Sequence, residues 1–90
     1  MANVVDKRKS VTVTSCAAIT GGWGANGTAA NKSTKPVTYT ITIFFTTDQA
    51  TTIASATTKT TVKAGGTAKW AATAKFKAAG TMLCVLRGVA

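Results

Sequence analysis

Residues 37–45 read Val-Thr-Tyr-Thr-Ile-Thr-Ile-Phe-Phe, and this stretch decides the fold class. Its odd-numbered positions are all large and apolar, whereas Thr38, Thr40 and Thr42 stand between them. Successive side chains of a β-strand point to opposite faces of the sheet. The period of two therefore predicts a strand with one face in the core and one face in water. Pro36 fits the start of this strand because it has no N–H to donate.

Shorter strand patterns lie on both sides of this segment, separated by Gly, Asn and polar residues. Residues 20–27 are rich in Gly and are expected as a loop or strand edge, and residues 31–36, 48–50 and 64–66 as turns. Together with the strand at 37–45, about seven strands are predicted. The others are expected at 11–14 (running into 15–16), 28–31, 51–56, 60–62, 67–77 and 81–87. Such a series is typical of an immunoglobulin-like antiparallel β-sandwich.

Residues 69–79 allow two interpretations. Ala and Lys are strong helix formers, which favours a helix here. The alternation between 67 and 77 favours a strand instead, with Ala68, Trp70, Ala72, Ala74 and Phe76 on one face. That interpretation places Trp70 in the core and sets Lys69, Lys75 and Lys77 in a row on the solvent face.

Ninety residues are enough for one modest hydrophobic core. We expect residues 1–9 to be a charged, flexible N-terminal arm and residues 10–90 to form a single β-sandwich domain. No segment approaches the ~18 consecutive apolar residues of a membrane span. The N-terminus also lacks the apolar core of a signal peptide.

The charge of the chain is strongly one-sided, with eleven Lys and Arg against only Asp6 and Asp48, a formal net charge of +9. This predicts an anionic partner: a surface, a polymer, a protein or nucleic acid. If the arm lay along the lysine-bearing strand, a stripe of cations would form from Lys7, Arg8, Lys9, Lys69, Lys75 and Lys77. Alternatively, these charges are simply solvated. Trp23, flanked by glycines, is the candidate for an exposed stacking aromatic.

The residue types that most catalytic and metal sites require are missing. The chain has no His, which excludes a Ser-His or Cys-His nucleophile pair. Paired carboxylates would need Asp6 and Asp48, but the first lies in the arm and the second in a turn. Two Cys without His cannot complete a zinc site. We therefore expect no enzyme activity, no cofactor and no metal.

The two cysteines stand near the two ends of the domain. A bond between Cys16, after the first strand, and Cys84, in the last, would join these ends and stabilise the fold by about 4–5 kcal/mol. A pair of cysteines in a short β-rich chain indicates an oxidising compartment. The alternative is two buried free thiols that pack as small apolar groups.

The order of these features resembles FxLYD-type immunoglobulin-like domains of secreted proteins and lipoproteins from actinobacteria such as Streptomyces. The resemblance rests on Val-Thr-Val-Thr-Ser-Cys at 11–16, an Asn-x-Ser turn at 31–33, the long strand at 39–45, the Gly turn at 65–66 and Cys84. Phe44 and Asp48 keep the spacing of the name-giving motif, while Thr46 and Thr47 replace its Leu and Tyr. The resemblance implies an extracellular sandwich without catalytic activity.

Three functions therefore compete. The first is a non-catalytic extracellular or cell-envelope module whose basic face binds an anionic partner. The second is a structural subunit, such as a virion decoration or fibre protein, that assembles into homo-oligomers. The third is a nucleic-acid-binding domain.

Overall fold

The computed structural model describes residues 5–77 and 80–90, and only the main chain of residues 5 and 6. This part of the chain contains one short helix and six strands: α1 (Val5–Lys9), β1 (Val11–Ile19), β2 (Gly22–Ala30), β3 (Val37–Thr46), β4 (Thr52–Val62), β5 (Thr67–Lys75) and β6 (Leu83–Val89). No helix in it has the length and apolarity needed to cross a membrane.

The strands form two antiparallel sheets of three. Sheet A has the order β1-β2-β5 and sheet B the order β4-β3-β6. This confirms the predicted sandwich, and the placement of strands 1, 2 and 5 opposite strands 3 and 6 is that of an immunoglobulin-like domain. Residues 69–75 are a strand, not a helix.

The structure has six strands where about seven were expected, and the Gly-rich segment is part of a strand instead of a loop or strand edge. Segments 51–56 and 60–62 are one strand, β4, because Thr57, Thr58 and Lys59 continue the pairing with β3 without interruption. Residues 22–27 belong to β2, the central strand of sheet A, which pairs with a neighbour on each side. Polar or small residues hid both features, since neither segment shows an apolar alternation.

The core lies between the sheets and receives unequal contributions from them. Sheet B supplies large side chains from β3, among which Ile41, Ile43 and Phe45 are fully buried. Sheet A supplies mainly alanines, together with Trp70. Small residues on sheet A leave room for the large side chains of β3. The molecule measures 44 × 23 × 16 Å, and its long axis follows the strands, which have 7–11 residues.

Trp70 fills the space that the missing side chain of Gly27 leaves. The two residues are paired across β2 and β5, and the indole Nε1 donates a hydrogen bond to the Thr28 carbonyl at 3.1 Å. A β-carbon at position 27 would lie 2.5 Å from Trp70 Cζ2 and would overlap the Thr12 carbonyl. Gly27 is therefore required for sheet A to accept this ring.

A disulfide between Cys16 and Cys84 joins β1 in sheet A to β6 in sheet B, with the Cα atoms 5.8 Å apart. The bridge closes a loop of 68 residues, which in the chain-entropy model stabilises the fold by about 4 kcal/mol. The predicted disulfide is thus confirmed.

The long sandwich has two distinct ends. The connections 31–36 and 63–66 lie at one end, together with α1, and we name it the Asn31 end. The turn between β1 and β2 and the turn at 47–51 lie at the other, which we name the Asp48 end. The antiparallel register of every strand pair fixes this separation.

We predict that Gly27→Ala lowers the free energy of unfolding by about 1–3 kcal/mol, because the added methyl group must displace Trp70 or the main chain of β1. The measurement is urea unfolding followed by tryptophan fluorescence.

Gly24→Ala, in the same strand, is the matched control. Its β-carbon would lie 3.2 Å from Thr73 Cγ2 and 3.3 Å from Ile19 Cγ2, the ends of exposed side chains, and at an ordinary contact distance of 3.8 Å from the Ala72 carbonyl. Equal losses in the two variants would contradict the role given to Gly27.

Candidate anion-binding site

The buried side chain of Asn31, which is 3% exposed, is the centre of a hydrogen-bond network. Its Nδ2 donates to the carbonyls of Lys35 at 2.8 Å, Val62 at 2.9 Å and Lys63 at 3.2 Å. Its Oδ1 accepts from the N–H of Ser33 at 2.9 Å and from Ser33 Oγ at 2.6 Å. Both polar atoms of the amide are therefore satisfied inside the protein.

This network fixes two connections against each other. The main-chain N–H of Asn31 also donates to the Gly66 carbonyl at 2.8 Å, so the loop 31–36 and the turn 63–66 are joined by side-chain and main-chain bonds. The carbonyls of Lys35 and Lys63 share one nitrogen and lie no more than about 6 Å apart. The side chains of Lys32, Lys35 and Lys63 are exposed, and we name these three residues the Asn31 cluster.

Residues from the predicted arm lie at the same end of the sandwich. Residues 5–9 form α1, while residues 1–4 lie outside the described residues. Ser10, which follows α1, accepts a hydrogen bond from Ala30 N at 2.9 Å, next to Asn31. Arg8 donates to the carbonyls of Leu86 at 2.6 Å and Arg87 at 3.1 Å. The Arg8 guanidinium is thus bound to β6, whereas Lys9 is exposed.

The three cations predicted on β5 and just after it lie on exposed positions, but apart from those of α1. Lys69 and Lys75 alternate with buried residues, as the sequence indicated. They are six residues apart, or about 20 Å along the strand. Because α1 packs on β1 and β6, and β2 separates β1 from β5, the two groups of cations do not form the expected stripe. The strand order of sheet A, which the sequence does not reveal, keeps the two groups of cations apart.

Trp23 is half-buried rather than exposed. It occupies an inward-facing position of β2, opposite Ala18 and Ala74, and packs against the core. Its Nε1 lies 3.3 Å from Cys16 Sγ of the disulfide. Its ring is therefore less available for stacking than the flanking glycines suggested.

The outer face of sheet A carries a shallow depression of about 470 Å³. Its walls include Ser15, Asn26, Thr28 and Lys69, so hydroxyl and amide groups stand beside one cation. The residues of this face are small, which makes it nearly flat. It offers polar contacts to a ligand but no enclosed pocket.

The two ends of the molecule differ in chemistry. Six of the eleven Lys and Arg belong to α1 or to the two connections of the Asn31 end, although the Arg8 guanidinium reaches along β6 to Leu86: Lys7, Arg8, Lys9, Lys32, Lys35 and Lys63. Lys75 and Lys77 lie toward the Asp48 end. The Asp48 end carries the exposed apolar side chains Ile19, Ile53, Leu83 and Val85. Near them, Arg87 lies over the Phe44 ring, 5.8 Å from its centroid. The larger group of cations thus lies at the end opposite the exposed apolar side chains.

The Asn31 cluster is not evident from the sequence, although residues 31–36 are predicted there as a polar turn. The available signal was Asn31-Lys32-Ser33 between two strands, since Asn side chains often bond to the main chain two residues on. The contact with Val62 and Lys63, 31 and 32 residues away, has no sequence signal.

No protein-family model, curated protein or solved structure matches this chain. The resemblance to FxLYD-type domains therefore stays a prediction.

We predict that Asn31→Asp destabilises the protein by at least about 2 kcal/mol. A carboxylate oxygen would replace the amide donor that faces the carbonyls of Lys35, Val62 and Lys63, and a buried negative charge against carbonyl oxygens is costly. Chemical denaturation at neutral pH measures the loss.

Asn26→Asp makes the same chemical change on the exposed face of β2 and serves as the control. We expect a change within about 0.5 kcal/mol there, as at other surface sites. A tolerated Asn31→Asp variant would refute the structural role of the amide.

Proposed function

We propose that this protein is a non-catalytic binding module whose Asn31 end contacts an anionic polymer or surface. The observation that carries the proposal is the Asn31 cluster, in which one buried amide holds two lysine-bearing connections together. The cations of α1 lie at the same end and add to its positive potential.

Spacing favours this end over β5 as the main contact. Exposed charges act together when they are separated by less than the screening length, about 8 Å at physiological salt. The main-chain carbonyls of Lys35 and Lys63 lie within about 6 Å of each other, and Lys32 belongs to the same loop as Lys35. Along β5 and just after it only Lys75 and Lys77 are close in this way, because Lys69 is about 20 Å from Lys75. The Asn31 end therefore presents the more concentrated field to a polyanion.

The type of cation indicates a polymer rather than a small ligand. A lysine ammonium is a point charge on a flexible stem, without the fixed fork by which Arg recognises a single carboxylate or phosphate. Lys32, Lys35 and Lys63 are exposed and do not line an enclosed pocket. Such a surface suits repeated negative charges along a chain or on a cell envelope.

The disulfide supports an extracellular or cell-envelope location, because such bonds persist mainly in oxidising compartments. The absence of His from the sequence and the placement of Asp6 in α1 and Asp48 in the turn at the other end support a role without catalysis.

Two triple variants of equal charge test the proposal. Lys32→Gln with Lys35→Gln and Lys63→Gln, and Lys69→Gln with Lys75→Gln and Lys77→Gln, each lower the net charge from +9 to +6. We expect the first to weaken binding of heparin and of a single-stranded oligonucleotide by tenfold or more, and the second to have a smaller effect. Fluorescence anisotropy across a salt series measures both.

For the oligonucleotide, losing three contacts should reduce the slope of log K against log salt by about 2. The main-chain bonds of Lys35 and Lys63 to Asn31 persist in the first variant, so its fold should be intact by circular dichroism. Equal losses in both variants would show that net charge alone matters and would sink the proposal. Tight binding of the oligonucleotide without binding of heparin would favour the nucleic-acid function instead.

A further inference from the structure

The free edge of β4 has an unbroken row of main-chain hydrogen-bonding groups. Thr40 and Ala90 exchange both of their main-chain hydrogen bonds at 2.9 Å, so the even-numbered residues of β3 bond toward β6. The odd-numbered residues of β3 therefore bond toward β4, where their partners are even-numbered, as in Ile41 opposite Thr58. It follows that Ser55, Thr57 and Lys59 direct their N–H and C=O groups outward.

This edge is straight and long. The only irregularity in the β3–β4 register lies at Phe45 and Thr46, opposite the start of β4. From Ile53 to Thr61 the strand extends over roughly 26 Å without Pro, and Lys59 is its one charged residue. Long, flat edges of this kind are templates for pairing with another strand.

Each of the other three edges carries a feature that opposes pairing. The Arg8 guanidinium occupies the carbonyls of Leu86 and Arg87 on β6. The register of β1 is broken between Val13 and Ser15. The edge strand β5 carries Lys69 and Lys75, and lysines on an edge strand discourage association. From Ile53 to Thr61, the β4 edge has no break in register and no side chain bound to its main chain, and Lys59 is its one cation, while β4 also packs beside β5 of the other sheet.

The occupant that fits this edge is a second copy of the chain. When a two-fold axis relates two copies of β4, the strands run antiparallel, and each offers the main-chain donors and acceptors that the other needs. The contact would pair Ser and Thr side chains, which stabilise neighbouring strands. An acidic partner would be drawn to the Asn31 end, where the lysines are concentrated. Two copies of net charge +9 repel each other, and the β4 edge, with one cation in nine residues, is where that repulsion is weak.

We propose that β4 is a self-association edge, through which two copies form one continuous antiparallel sheet of six strands. The inference is independent of the proposed anion binding because it uses different residues. It also has the opposite response to salt: screening weakens binding to a polyanion but strengthens the association of like-charged copies.

The test is sedimentation equilibrium of the whole protein from about 0.1 M to about 1 M NaCl, where the screening length falls from roughly 10 Å to roughly 3 Å. The average mass of the wild type should rise from monomer toward dimer. Thr57→Pro removes an N–H that points to the free edge and spares the ladder with β3, so this variant should stay monomeric. Thr57→Ala keeps the N–H and should associate like the wild type.

Circular dichroism and the urea midpoint show whether Thr57→Pro is folded. If it is not, Thr57→Lys keeps the N–H, adds a like charge at the contact and should also remain monomeric. A wild type that is monomeric throughout the salt series would overturn the proposal. So would a folded Thr57→Pro or Thr57→Lys variant that associates as the wild type does.

Discussion

The amide of Asn31 is the interaction on which the arrangement of this domain depends. The chain passes between the two sheets twice at this end, from β2 to β3 and from β4 to β5. Asn31 bonds to main-chain atoms of both connections. An apolar residue would lose the bonds that join the two connections and leave the Ser33 N–H without its acceptor, and a larger polar residue would not fit a site that is 3% exposed. One side chain thereby sets the relation between the sheets and the position of three lysines.

The disulfide and the Asn31 network act at different places in the sandwich. Cys16 and Cys84 connect β1 to β6 toward the Asp48 end, while Asn31 connects the crossings at the other end. With sheet A contributing mostly alanines, the core alone is thin, and these two links compensate for that. The Asn31 cluster and the exposed apolar side chains are then held at opposite ends, so the proposed polyanion site and the proposed self-association edge use different parts of the surface.

Local sequence patterns predicted most of the strands, whereas contacts between residues distant in sequence determine which residues form the candidate site. The alternation in 37–45 gave β3 and its buried face because Tyr39, Ile41, Ile43 and Phe45 are large. Only the end of β2 was predicted as a strand, because Gly and Ala hold most of its inward positions and their role appears only when Trp70 packs against Gly27. The stripe of cations failed for a different reason: strand order separates α1 from β5. Likewise, only the folded chain brings Lys63 beside Lys35.

Binding of polyanions at the Asn31 end can be tested by titrating ¹⁵N-labelled protein with a short heparin oligosaccharide and following the amide chemical shifts. We expect the largest shifts in residues 31–36 and 63–66 and in α1, with small changes at Lys75 and Lys77. Shifts concentrated at the Asp48 end or along the outer face of β5 would contradict it.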